Sequence, residues 1–178
     1  MNLLETIMNA NQGGSVATIA RNFNLDESQA KSAVGALLPA LTKGMQKNAA
    51  SPQGIQGLIG ALTKGNHQRY LDDPASLANA DAIADGNGIL GHLLGSKEVS
   101  RKVAADAAAR TGVDTSVLKK MLPMVAAMAM GSAAKQTDNG KALAADVAGG
   151  GGLLGKLLDS DGDGSVADDL MGLAKKFF

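Results

Sequence analysis

The chain has no cysteine and no tryptophan, and its aromatics are one tyrosine and three phenylalanines among 178 residues. Without cysteine neither a disulfide framework nor a thiolate metal site can form, and the redox compartment cannot be read. The shortage of aromatics leaves Ala, Leu, Met and 23 Gly to supply most of the interior. Such side chains hide little area each, so the core has to gain from close approach of helices over small residues. Net charge is lacking too: 17 basic residues balance 17 acidic ones, which argues against a general binder of polyanions. Histidine is scarce, and His67 and His92 have no partner at metal or triad spacing, so an enzyme is not expected and no small-molecule substrate is evident. Met1-Asn2-Leu3-Leu4-Glu5 lacks the basic and apolar runs of a signal peptide, giving a cytoplasmic location as the expectation. The uncharged run from Met121 to Ala134 is shorter than the roughly 20 residues of a membrane span and contains Pro123, so it reads as a core helix.

What is present is helical spacing almost throughout. Ala30, Ala33, Val34, Leu37, Leu38, Leu41 and Met45 follow the i, i+3, i+4, i+7 template, and Val117, Met121, Met124, Val125 and Met128 repeat it. No stretch alternates apolar and polar residues with the β-branched content of a strand, so the fold class is all-α. Two segments, about residues 15–48 and 104–136, look like copies of one helix-turn-helix unit. Ala20-Arg21, Leu25-Asp26-Glu27-Ser28 and Leu37-Leu38-Pro39 are echoed by Ala109-Arg110, Val113-Asp114-Thr115-Ser116 and Met121-Leu122-Pro123. In both, an Asp is placed to cap a helix, with an apolar residue before it. The cap-to-proline spacings differ by about one helical turn, so the two prolines are expected to face the same side and to kink their helices. Gly57-Leu58-Ile59-Gly60, Gly88-Ile89-Leu90-Gly91 and Gly152-Leu153-Leu154-Gly155 give short helices bare patches where backbones are expected to approach closely. The run Gly149–Gly152 divides a bundle, residues 1–148, from a tail, residues 149–178.

The unit Ala109-Arg110-Thr111-Gly112-Val113-Asp114-Thr115-Ser116-Val117-Leu118-Lys119-Lys120-Met121-Leu122-Pro123-Met124-Val125-Ala126, then Gly131 and a Gly-Leu-rich segment with an Asp-Gly-Asp-Gly tail, resembles the bacterial family catalogued as domain of unknown function nine-three-seven. The likeness covers nearly the whole chain. It implies an all-helical bacterial protein related to the YidB-like group, and it transfers no catalytic residue.

The sharpest chemistry lies in the tail. Asp159, Asp161 and Asp163 stand on alternate residues before Gly164, the spacing of an EF-hand calcium loop, with the Ser165 carbonyl at its seventh position. Leu170 occupies the place of the closing Glu, and Asp168 or Asp169 would have to stand in. The candidate metal ligands are thus Asp159, Asp161, Asp163, Ser165 and Asp169, for Ca2+ at an affinity of about 10⁻⁴–10⁻³ M. The alternative is a turn whose Asp168 and Asp169 favour the first turn of a final amphipathic helix ending in Phe177 and Phe178.

Three further patterns bear on function. Ser28, Gln29, Lys31 and Ser32, and again Thr115, Ser116, Lys119 and Lys120, sit where a recognition helix would begin, but zero net charge and only four Arg favour a capped corner between helices. Gly150 to Lys156 approaches a phosphate loop, yet Leu157 replaces its hydroxyl and no strand precedes it. Residues 117–134 are apolar on every side, and a core this poor in aromatics is expected to be short of cover for them within one chain. The resulting expectation is a self-associating, homo-oligomeric protein of structural or scaffolding type, with no membrane partner. A nucleic-acid-binding helix-turn-helix module and a calcium-responsive binding module stand as the alternatives.

Overall fold

The computed structural model describes residues 3–149. They form α1 (Leu3–Asn9), α2 (Gly14–Phe23), α3 (Glu27–Ala49), α4 (Pro52–Lys64), α5 (Arg69–Asp72), α6 (Ala80–Leu94), α7 (Lys97–Thr111), α8 (Thr115–Gln136) and α9 (Lys141–Gly149), with 3₁₀ turns at Ala10–Gly13 and Pro74–Ala78. No strand occurs among the described residues, and the fold is an all-α bundle.

The helix starts follow from their caps. Asp26 accepts from the Gln29 amide at 2.7 Å while the Gln29 side chain accepts from the Asp26 amide at 3.2 Å, a reciprocal capping box that satisfies two otherwise orphaned donors of α3. Asp114 accepts from the Ser116 amide at 2.7 Å and so opens α8. The preceding helices end alike: Asn24 after α2 and Gly112 after α7 both take the left-handed conformation, followed by apolar Leu25 and Val113. Helix, left-handed residue, apolar residue and Asp cap therefore recur in the same order at both corners.

Helix α8 is the axis of the bundle. Every residue from Met121 to Ala134 is buried, under α6, α7, α3, α1 and α5. One chain thus supplies the cover that composition put in doubt, and no neighbour is needed for this helix. By length and composition α8 is long enough to cross a membrane, but 83% of the relevant window is buried inside the bundle.

Small residues permit this enclosure at particular points. A Cβ added at Gly44 would lie 2.7 Å from the Leu93 carbonyl, and one at Gly131 would lie 2.6 Å from that of His67. At Gly86 it would sit 2.8 Å from Pro123 Cα and closer still to its carbonyl, so α6 rests directly on the α8 backbone.

Pro39 is exposed and Pro123 buried, because α8 is covered on all sides whereas α3 keeps a solvent face. One sequence expectation is corrected: the paired glycines are not the close-contact points among the described residues, since Gly57, Gly60, Gly88 and Gly91 all face open space.

Candidate interaction surface

Helix α4 ends at Lys64, and the chain reverses through Asn66, whose φ of 43° is left-handed. This turn lays the His67 ring over Gly65, where any β-carbon would collide with the imidazole. Beside it, α5 and α6 share a part-buried polar cluster. Tyr70 donates its hydroxyl proton to Asp85 Oδ2 at 2.5 Å. Arg69 donates to the Tyr70 oxygen at 2.7 Å and to Asp85 at 3.1 Å, with its guanidinium 4.8 Å above the Tyr70 ring.

Burial, and then the hydrogen bond to Asp85, raises the Tyr70 phenol above its ordinary value and keeps it neutral. Burial chiefly lowers His67, against the attraction of Asp85. His67 Nδ1 and Arg69 Nε are buried without a hydrogen-bond partner. The tie closes on itself and joins α5 to α6. None of the three clefts described below has these residues in its described lining.

The sequence candidates fall as follows. Ser28, Gln29, Lys31 and Ser32 are exposed at the start of α3, but Gln29 is held in the capping box and Lys31 pairs with Glu27 at 2.7 Å. At the start of α8, Ser116 is engaged by Asp114, while Lys119 and Lys120 are exposed. His92 is exposed on α6, and its carbonyl accepts from Asn48 at 3.1 Å. The calcium-loop candidates Asp159, Asp161, Asp163, Ser165 and Asp169, the glycine-rich stretch to Lys156 and the Phe177–Phe178 anchors lie outside the described residues. Among the described residues no group of three or more His, Cys, Asp or Glu could hold a metal ion.

Two surface features go beyond those candidates. The first is an uncharged face. Residues 51–63 and 86–96 contain no Asp, Glu, Lys or Arg, and they carry the four open glycines of α4 and α6. Between these helices lies a cleft of about 220 Å³ lined by Gly57, Leu58 and Ala61 on one side and Ile89, His92 and Leu93 on the other, with Met130 also in its wall. A smaller cleft of about 210 Å³ opens beside it at Asn48, Ser51 and His92.

The second feature is a basic cleft of about 650 Å³ where α6, α7 and α8 meet, lined by Lys97, Arg101 and Lys119 over Leu90, Leu122 and Pro123. Charge is sorted along this part of the chain. Across residues 95–123, Lys97, Arg101, Lys102, Arg110, Lys119 and Lys120 outnumber Glu98, Asp106 and Asp114, whereas across 66–94 Asp72, Asp73, Asp81 and Asp85 outnumber Arg69. The spacing of Lys97 and Arg101, four apart on one helical face, was a signal open to sequence reading. The arrival of Lys119 beside them depends on how α7 packs on α8.

These features define an all-helical bundle with one enclosed central helix and two distinct outer surfaces. Residues 5–136 match the family described as bacterial protein of unknown function (DUF937), and the chain belongs to that family. The chain matches no curated protein and no solved structure.

Proposed function

We propose that the protein is a non-enzymatic structural or scaffolding unit that associates with copies of itself through the uncharged face of α4 and α6. The observation that carries this reading is the pairing of two uncharged helical segments with four glycines whose Cβ positions meet nothing within 4 Å. A glycine inside a helix costs roughly 1 kcal/mol relative to alanine, so four exposed ones weaken the isolated bundle without a packing reward in the chain itself. A second copy supplies that reward, because helices bare of side chains approach closely and bury backbone and neighbouring Leu and Ile together. Such a face meeting its own image makes a closed two-fold contact.

The alternatives draw less support. On α3, two of the four groups that would read a duplex, Gln29 and Lys31, are engaged by Asp26 and Glu27. Calcium responsiveness rests on the Asp loop beyond the described residues.

Light scattering coupled to size exclusion tests the proposal. At tens of micromolar the wild type should elute as an oligomer. Gly57→Glu with Gly91→Glu, both at open positions, should return it to a folded monomer. A wild-type monomer under these conditions would overturn the reading.

A further inference from the structure

Among the described residues the basic cleft has apolar walls, three cations and no carboxylate in its lining. Its nearest anions do not neutralise it: Glu98 reaches Arg101 at only 3.8 Å with both side chains exposed, a geometry worth little in water. A cleft of this kind takes an acidic segment with apolar neighbours. The chain carries such a segment itself, since Leu157 and Leu158 run directly into Asp159, Asp161 and Asp163.

We propose that the stretch from Leu157 to Asp163 occupies the Lys97–Arg101–Lys119 cleft of its own chain. Distance permits it. Helix α9, whose end delivers the tail, packs on α4. Helix α4 packs in turn on α8, which forms one wall of the basic cleft through Lys119, Leu122 and Pro123. Packed helices lie about 8–10 Å apart, so two such steps cover about 16–20 Å. The ten residues from Gly149 to Asp159 can span at most about 33–36 Å, which exceeds that distance. A tether of that length holds the segment at millimolar effective concentration, which makes a modest electrostatic contact within one chain sufficient. The cleft borders the assembly face, with Gly91 at the edge of both, but its cations Lys97, Arg101 and Lys119 lie outside that face, so the contact can be read separately from assembly.

Carbodiimide cross-linking of the full-length protein reads this contact directly, because it joins a lysine amine to a carboxylate only when the two touch. An equal mixture of ¹⁴N- and ¹⁵N-labelled chains separates links within a chain from links between chains, and light scattering on the same samples reports assembly independently. The expected products join Lys97 or Lys119 to Asp159, Asp161 or Asp163 with a single isotope label. Their yield should fall about tenfold in Arg101→Glu and recover when Arg101→Glu is combined with Asp161→Lys. Links spread evenly to Lys64, on the helix beside α9, would show an undirected tail and overturn the proposal, as would links of mixed label. An unchanged yield in Arg101→Glu, together with lost retention on heparin, would assign the cleft to a foreign polyanion instead and equally overturn it.

Discussion

Alanine at Gly86 and alanine at Gly88 should move stability in opposite directions, although the sites are two residues apart on α6. Both substitutions gain helix propensity, up to about 1 kcal/mol for a glycine in a helix interior. At Gly88 the new methyl meets nothing within 4 Å, so most of that gain survives as about 0.5–1 kcal/mol. At Gly86 the methyl would lie 2.8 Å from Pro123 Cα and nearer its carbonyl, where ordinary contact starts above 3.4 Å. Helix α6 must then lift from α8 and loosen Ile89, Leu90 and Leu93, all buried in the core. Overpacking of this kind costs about 1–3 kcal/mol, and backbone against backbone belongs at the upper end, leaving a net loss of about 1–2 kcal/mol. For a chain of this size each kcal/mol moves Tm by about 2–4 °C. Urea unfolding and thermal melts at low micromolar protein should therefore place Gly88→Ala a few degrees above wild type and Gly86→Ala a few degrees below. Equal stability of the two variants would refute the contact between α6 and the Pro123 backbone.

Other consequences can be measured on the same protein. Tyr70→Phe removes the hydroxyl shared by Arg69 and Asp85 and should lower stability by about 1–2 kcal/mol in urea, with helical content unchanged. Because burial holds His67 below its ordinary 6.5, the unfolded chain binds more protons once pH drops past that value. Its contribution is full above about pH 6.5 and is lost as pH falls through the lowered folded value, so Tm should decline toward pH 5.5 and His67→Gln should flatten that slope. Millimolar calcium should raise Tm if Asp159, Asp161 and Asp163 ligate it, and Asp161→Ala should abolish the rise; equal midpoints with and without calcium leave the loop as a turn.

Much of the architecture was legible because it is written locally. The spacing from Ala30 to Met45 and from Val117 to Met128 marked the two long helices, and Asp26 and Asp114 marked their starts, since a cap is set by residues within one turn. What was not legible depends on partners distant in the chain. That α8 would be enclosed, so that Pro123 is buried while Pro39 is exposed, follows from the helices packed around it rather than from either proline. The glycine motifs were visible, but a spacing of three does not say which side packs: Gly86 carries the tight contact, and Gly88 and Gly91 beside it carry none. Asp85 gave no sign of its pairing with Arg69 and Tyr70, because that tie crosses two turns and a 3₁₀ segment. For the same reason the basic cleft escaped, as Lys119 joins Lys97 and Arg101 only through packing.

The central claim is that the open glycines of α4 and α6 form a self-association face, and alanine at Gly57, Gly60, Gly88 and Gly91 together tests it most directly. These positions are sterically free within one chain, so the fourfold variant should melt higher than wild type at concentrations where both are monomeric. If copies meet there, the added methyl groups hold the backbones apart. Light scattering across one to one hundred micromolar should then show wild type assembling and the variant requiring at least tenfold more protein to do so. An unchanged assembly curve in the more stable variant would contradict the account.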